Sequence, residues 1–264
     1  MTFGPPRVAL VRAIPASFAR ALRADPAPID VEKARAQHAA YVAALRDAGV
    51  VIEELPTTDD LPDSVFVEDP VVALDRAALC TVSAAPSRRG EAATVVEALA
   101  RHREVIAMRD PEATLDGGDV LRSAGTLIVG ASGRTNAAGI AELDRVARAE
   151  GLAVRAIEVR RGLHLKSAVS LAAAGWAVVD PEAVDPAAVA ATGLSVIEVD
   201  EPLGANVLCL GEVTLVSASA PRTALHLRAR GQRVVELELS EIHAADGALT
   251  CCSIRLAPAG AWCA

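Results

Sequence analysis

One phrase recurs five times along the 264-residue chain: an Ala-rich helical stretch, then a β-branched strand that contains or closes with charge. The instances end in Gly49-Val-Val-Ile-Glu-Glu-Leu, Arg103-Glu-Val-Ile-Ala-Met-Arg, Gly151-Leu-Ala-Val-Arg-Ala-Ile-Glu, Gly193-Leu-Ser-Val-Ile-Glu-Val and Gly231-Gln-Arg-Val-Val-Glu-Leu. Four of the five place glycine at the junction, where a left-handed helix C-cap needs it. Successive junctions are separated by roughly 50 falling to roughly 40 residues, a spacing at which internal repeats define an architecture.

The segment before each helix also repeats, as a short apolar strand and a polar turn. Leu79-Cys-Thr-Val runs into Pro86-Ser-Arg-Arg-Gly, Leu127-Ile-Val-Gly into Ser132-Gly-Arg-Thr-Asn, and Thr214-Leu-Val-Ser into Ala220-Pro-Arg-Thr. Further strands are expected at Ser64-Val-Phe-Val, Gly118-Asp-Val-Leu and Asn206-Val-Leu-Cys-Leu. Each unit therefore reads as strand, strand, helix, strand. Five such units set radially around a pseudo-axis bring their polar turns to one central mouth. A doubly wound open sheet is the alternative, disfavoured by the many short strands and the lack of a Gly-rich phosphate loop.

Composition narrows the function. Aromatic residues make up 2% of the chain and the formal charge is -8. Both argue against nucleic acid, the first by denying stacking platforms and the second by repelling phosphate, whereas an acidic surface favours a cationic ligand. The N-terminal apolar segment Val8-Ala-Leu-Val is too short for a secretory core, and no apolar run reaches membrane-spanning length. A cytoplasmic location with reduced cysteines follows as the expectation. Cys80 and Cys209, inside apolar strands, read as small hydrophobes, and Cys263 belongs to the terminal tail.

The residues with chemistry lie in the turns. A cysteine at Cys251 and a histidine at His164 can together support covalent hydrolysis at an electrophilic carbon. Asp63-Ser-Val-Phe-Val-Glu68-Asp69 brackets an apolar run with carboxylates, and on an extended strand Glu68 and Asp69 face opposite sides. Asp116-Gly117-Gly118-Asp119 is a second acidic turn whose glycines allow close backbone approach. Arg88 and Arg134 occupy corresponding turns of two repeats, where two guanidinium forks would clamp a carboxylate. His38, His102, His226 and His243 read as helix-surface or loop residues. Lys166 is one of only two lysines in a chain that otherwise uses arginine, and its role stays open. No C-x-x-C or H-x-x-x-H spacing supports a structural zinc, although adventitious metal at Cys251 and His164 remains chemically reasonable.

Taken in order, Asp63 to Asp69, Pro86-Ser-Arg-Arg89, Thr114-Leu-Asp-Gly-Gly-Asp-Val120, Arg134-Thr-Asn136, Leu163-His-Leu-Lys-Ser167 and Asp246-Gly-Ala-Leu-Thr-Cys-Cys252 resemble the dimethylarginine dimethylaminohydrolase family of guanidine-modifying enzymes. The resemblance spans nearly the whole chain. It implies a single domain over residues 1–264 with the pentein fold, a pseudo-symmetric five-bladed α/β propeller of ββαβ units. It also implies that Cys251 is the nucleophile and His164 the acid and base, with Asp63, Glu68 and Asp69 around the cationic end of a substrate. Arg88 and Arg134 would hold the substrate carboxylate, and Leu22 and Ala245 would contribute backbone carbonyls. Asp246 and Asp116 belong to the acidic lining or stand behind it.

The expected reaction converts mono- or dimethylated L-arginine to L-citrulline and an amine through a Cys S-alkylthiouronium, with no organic cofactor and no catalytic metal. The partner is a small molecule, with neither nucleic acid nor membrane, and the reading admits a homodimer. An arginine deiminase or another amidino hydrolase of the same fold is the nearest rival. It is disfavoured because Lys166 follows Leu165 where those deiminases carry a further aspartate. A non-catalytic methylarginine-binding or redox-sensing protein using Cys251 and Cys252 is a third reading.

Overall fold

A computed structural model describes residues 8–257, so Cys263 lies outside the described part. The first blade contains β1 (Val8–Arg12), α1 (Val31–Asp47) and β2 (Val51–Leu55), and the second β3 (Val71–Ala73), β4 (Ala77–Cys80), α2 (Ala92–Leu99) and β5 (Glu104–Ala107). The third contains β6 (Val120–Ser123), β7 (Thr126–Ala131), α3 (Ala137–Ala149) and β8 (Ala153–Glu158). A single turn, α4 (Leu165–Ala168), leads into β9 (Val169–Ala173), β10 (Trp176–Val179), α5 (Pro186–Ala190) and β11 (Ser195–Glu198). The fifth blade is β12 (Leu208–Cys209), β13 (Val213–Ser217), α6 (Pro221–Arg228) and β14 (Arg233–Leu237), followed by α7 (Ser240–Ala244) and β15 (Ile254–Leu256).

Every sheet has three strands, with an antiparallel pair first and then a parallel pair joined through a helix. The first blade obtains its antiparallel member from the other end of the chain, since β15 pairs with β1 from Val8 opposite Leu256 to Leu10 opposite Ile254. The ring is thereby closed by backbone hydrogen bonds between the chain's two ends.

Strand position explains the charge in the repeated phrase. The middle strands are almost wholly buried, as in β10 and β13, and are written in Val, Leu and Ala. The parallel strand after each helix lies at the sheet's free edge, and exposed residues such as Glu54, Glu104 and Arg155 fall there. Charge on such an edge discourages pairing with another chain. Glycines 49, 151, 193 and 231 sit at φ between 75° and 93° at the helix exits. The helix before β5 leaves without a left-handed residue, which is why that junction carries no glycine.

A three-stranded blade cannot bury both faces alone, and the core accordingly divides into five clusters that join neighbouring blades. Leu10, Val71 and Ile254 join the first to the second, and Leu79, Leu127 and Leu143 join the second to the third. Ile128 with Val179, Val178 with Val216, and Val11 with Leu215 complete the circuit. The innermost strands β15, β3, β6, β9 and β12 line an axial cavity of about 150 Å³.

Four sequence expectations need correction. Ser64–Val67 is not a strand: Ser64, Phe66 and Val67 donate to Leu61, Asp63 and Val65 carbonyls, so the segment is a run of tight turns. Gly118 and Asp119 belong to a 3-10 turn, with the strand starting at Val120, and the strand expected over 206–210 shrinks to Leu208–Cys209. His38 is buried inside α1 against Tyr41, because that helix lies between blades and its histidine faces inward.

Candidate active site

Cys251 sits in the 3-10 turn Thr250–Cys252, immediately before β15. Asn206 fixes this turn by donating to Thr250 Oγ1 at 3.0 Å and to the Lys166 carbonyl at 2.8 Å, while accepting from Thr250 N–H. Cys251 is half-buried and Cys252 is packed into the core. The two adjacent thiols are therefore distinguished by position. Burial, reinforced by the charges of Asp69 and Glu68, pushes the Cys251 thiol up to about 12. Burial raises Cys252 well above its ordinary value too.

His164 precedes the single turn α4 and is almost fully buried. Its Nε2 lies 3.1 Å from Asp116 Oδ2, and its Nδ1 lies 3.9 Å from Asp69 Oδ1. Burial alone would lower the imidazole, but Asp69, the Asp116 hydrogen bond and Asp119 outweigh it and hold His164 above its ordinary value. The paired glycines allow this approach. A Cβ on Gly118 would stand 2.7 Å from His164 Nδ1 and 2.8 Å from Asp69 Oδ1, and one on Gly117 would overlap the Glu68 and Val71 carbonyls.

Asp69 accepts Arg88 Nη1–H at 2.6 Å and Gly118 N–H at 3.1 Å. Burial opposes its charge, but His164 and Arg88 prevail and keep its carboxyl below the usual range. Arg88 is itself buried, with Nε–H and Nη2–H donated to the two oxygens of Glu91 at 3.0 and 2.7 Å. Arg134 is less committed. Among the described residues its one ion pair is to Asp116 at 3.4 Å. Asp63 accepts Leu22 N–H at 3.0 Å, and burial raises its carboxyl against the pull of Arg88. Asp246 holds φ at 55° after α7 and accepts Ala24 N–H at 2.7 Å, joining the last loop to the first.

Ten of the eleven expected residues fall into two sets around one space. Cys251, His164, Asp63, Asp69, Arg88 and Arg134 line one small pocket whose rim includes Leu22, Ala245 and Asp246. Asp116 stands directly behind His164. Glu68 diverges from Asp69 and lines the axial cavity, where its Oε1 accepts Lys166 Nζ–H at 2.7 Å and Arg255 Nη2–H at 2.9 Å. Lys166 also donates to the Gly117 carbonyl at 3.0 Å, so it ties Glu68 to the glycine turn under His164.

Sequence reasoning passed over Glu91 and placed Asp119 in the second acidic turn without assigning it to the site. Both are buried carboxylates in turns that carry expected site residues, and the spacing Arg88-x-x-Glu91 was a usable signal for the first. Asp69, Asp116 and His164 also bring one ligand atom each within 4.8 Å. A cation there would compete with Arg88 for Asp69 and with His164 and Arg134 for Asp116.

A five-bladed propeller with a cysteine, an imidazole and opposed charged groups converging on a small pocket defines an enzyme that acts on the C–N bonds of linear amidines. The comparisons agree. The family described as N,N dimethylarginine dimethylhydrolase, eukaryotic, matches residues 15–257. A Streptomyces coelicolor N(G),N(G)-dimethylarginine dimethylaminohydrolase is 41% identical over 229 residues, 86% of this chain and 88% of the relative. Its Pseudomonas aeruginosa counterpart is 34% identical over 235 residues, 86% of this chain and 89% of the relative. The crystal structure of the Pseudomonas aeruginosa enzyme, a cysteine-to-serine mutant complexed with citrulline, superposes with a TM-score of 0.89 at 30% identity, covering 95% of this chain and 99% of the other. The N-terminal domain of a cyanobacterial arginine dihydrolase shares the fold at a TM-score of 0.85 and 17% identity, covering 95% of this chain and 97% of the other. The chain belongs to the dimethylarginine dimethylaminohydrolase family and has its pentein fold. Among the described residues no helix is long and apolar enough to cross a membrane.

Proposed function

We propose that this protein hydrolyses N-ω-methylated L-arginines, both dimethyl and monomethyl, to L-citrulline and dimethylamine or methylamine. The observation that carries the reading is the convergence of Cys251, His164, Asp69 and Arg134 on one pocket, with Asp63 and Arg88 beside them. Asp63 and Asp69 attract the guanidinium, while Arg134 and the remaining Nη1–H of Arg88 receive the α-carboxylate. Leu22 and Ala245 offer backbone to the α-amino end, with Asp246 at the rim.

In the empty pocket Cys251 stays a thiol, because burial and the neighbouring carboxylates oppose a second negative charge. A bound guanidinium offsets that opposition, and the thiol proton passes to water. The thiolate then adds to the central guanidinium carbon. His164, held above its ordinary value, gives its proton to the methylated nitrogen, the C–N bond breaks and the amine leaves. The cationic S-alkylthiouronium remains on Cys251. Neutral His164 takes a proton from water as its oxygen adds to the same carbon. The C–S bond breaks, the second water proton returns to sulfur, and citrulline leaves a regenerated thiol and imidazolium.

Incubation with dimethyl-L-arginine, monomethyl-L-arginine and L-arginine, with citrulline and amines quantified together, tests the proposal. Equimolar citrulline and dimethylamine or methylamine is expected. Ammonia from unmethylated arginine as the main product would favour a deiminase, and no citrulline from any of them would contradict the reading.

A further inference from the structure

Asp119 is wholly buried and lies outside the pocket, yet its two oxygens hold the two loops that reach into it. Oδ1 accepts the N–H of Leu165, the residue directly after His164, at 2.8 Å. Oδ2 accepts Ser132 Oγ–H and Thr135 Oγ1–H, each at 2.6 Å. Ser132 Oγ in turn accepts the N–H groups of Arg134 at 3.0 Å and Thr135 at 3.3 Å. One carboxylate therefore receives donors from the His164 turn in front of the fourth blade and from the Arg134 loop of the third. All three partners are donors toward it, an arrangement that only an acceptor can satisfy.

The surroundings leave no slack in this link. Gly130 packs so closely that a Cβ there would stand 2.8 Å from Asp119 Oδ1 and 2.8 Å from Leu165 Cβ. Thr135 Oγ1 also reaches back to Asp116 N–H at 3.3 Å, which connects the Arg134 loop to the partner of His164. Short, mutually dependent hydrogen bonds around a buried carboxylate fix geometry more firmly than any one of them would alone.

We propose that Asp119 is a positioning residue that couples the acid/base His164 to the carboxylate contact Arg134, so that the two ends of the substrate are held at one fixed separation. The proposal rests on the reading of His164 and Arg134 given under Proposed function. It assigns Asp119 no contact with substrate. Loss of the link should therefore affect both ends of the pocket at once, through a lower kcat at His164 and a higher KM at Arg134.

The charged groups acting on His164 are Asp69, Asp116 and Asp119, with Arg134 paired to Asp116 and Lys166 to Glu68 nearby. The test compares the full-length wild type with Asp119→Asn, which preserves shape but turns a donor toward the two hydroxyls. The His164 imidazole is titrated by NMR, and kcat and KM are measured on dimethyl-L-arginine and on its decarboxylated analogue. The His164 midpoint should fall by at least about half a pH unit. KM for dimethyl-L-arginine should rise by about threefold or more while KM for the analogue stays within about twofold.

Movement of one readout without the other would overturn the coupling, as would equal effects on both substrates. Should wild type turn over neither substrate, the functional reading fails by itself. The coupling is then read from the NMR titration and from hydrogen exchange at the Leu165 and Arg134 amides, which should both quicken in Asp119→Asn and must both stay protected if Asp119 couples nothing. If Asp119→Asn does not fold, Thr135→Val removes one donor from the same carboxylate and carries the same comparisons.

Discussion

His164 Nε2 lies 3.1 Å from Asp116 Oδ2, and the same carboxylate oxygen lies 3.4 Å from Arg134 Nη1. Asp116 is completely buried and His164 nearly so, so water does not replace that contact. Asp116→Asn retains the shape of the side chain and removes its charge. The expected outcome is a fall in kcat of about 10²-fold, the scale of a mispositioned acid/base group. The alkaline limb of the kcat profile should also move to lower pH, because His164 loses a group that favours its proton. Steady-state rates across pH check both, and an unmoved limb would remove Asp116 from that role.

Arg134→Ala should weaken recognition of the free amino acid without disturbing the fold. Arg134 is partly exposed and makes a single long ion pair, so little of the core depends on it. A drop in kcat/KM of at least about tenfold is expected. Equal loss on a substrate lacking the α-carboxylate would show that Arg134 does not read that group.

Cys251 alkylation should depend on the charge of the reagent. With the thiol pushed up to about 12, a neutral alkylating agent should react slowly at neutral pH and faster as the solution becomes alkaline. A cationic amidine of arginine-like shape brings its own counter-charge and should react readily at neutral pH. Rates of labelling against pH for the two reagents make the comparison, and equal rates at neutral pH would contradict it.

His38 should limit stability in acid. Burial pulls its imidazole down to about 4 from 6.5, so the unfolded chain takes up a proton that the folded chain refuses. The contribution is present above pH 6.5 and is lost as pH falls toward the folded value, a difference of order 3 kcal/mol at most. Among the described residues Nε2 has no hydrogen-bond partner to lose. His38→Leu should therefore flatten the acid side of the thermal stability curve, measured between pH 7 and 4, and an unchanged slope would place the acid sensitivity elsewhere.

The five units were legible because each repeats a physical necessity: a buried middle strand, a crossover helix and a charged outer edge, with a left-handed glycine exit in four of them. Closure of the first blade by β15 was not, since pairing across the whole chain leaves no local signature at Val8 or Ile254. The Ser64-Val-Phe-Val run was misread because a buried apolar segment looks the same to periodicity whether it is extended or wound into turns. Most residues around the pocket could be named from their turns and from the family resemblance. Glu91 could not, and Asp119 was visible only as part of an acidic turn, because a carboxylate that acts through a neighbour is indistinguishable in sequence from a solvated one. Lys166 was conspicuous by residue type, and its partners Glu68 and Gly117 became visible only in three dimensions.

The central claim is that Cys251 carries the substrate carbon during turnover. Acid quenching of the wild-type protein during steady hydrolysis of dimethyl-L-arginine, followed by peptide fragmentation in the mass spectrometer, measures this directly. The account predicts a mass increment equal to the substrate less dimethylamine, located on Cys251 and absent from the packed Cys252. An increment on Cys252, or sustained citrulline formation by a Cys251→Ser variant at the wild-type rate, would contradict it.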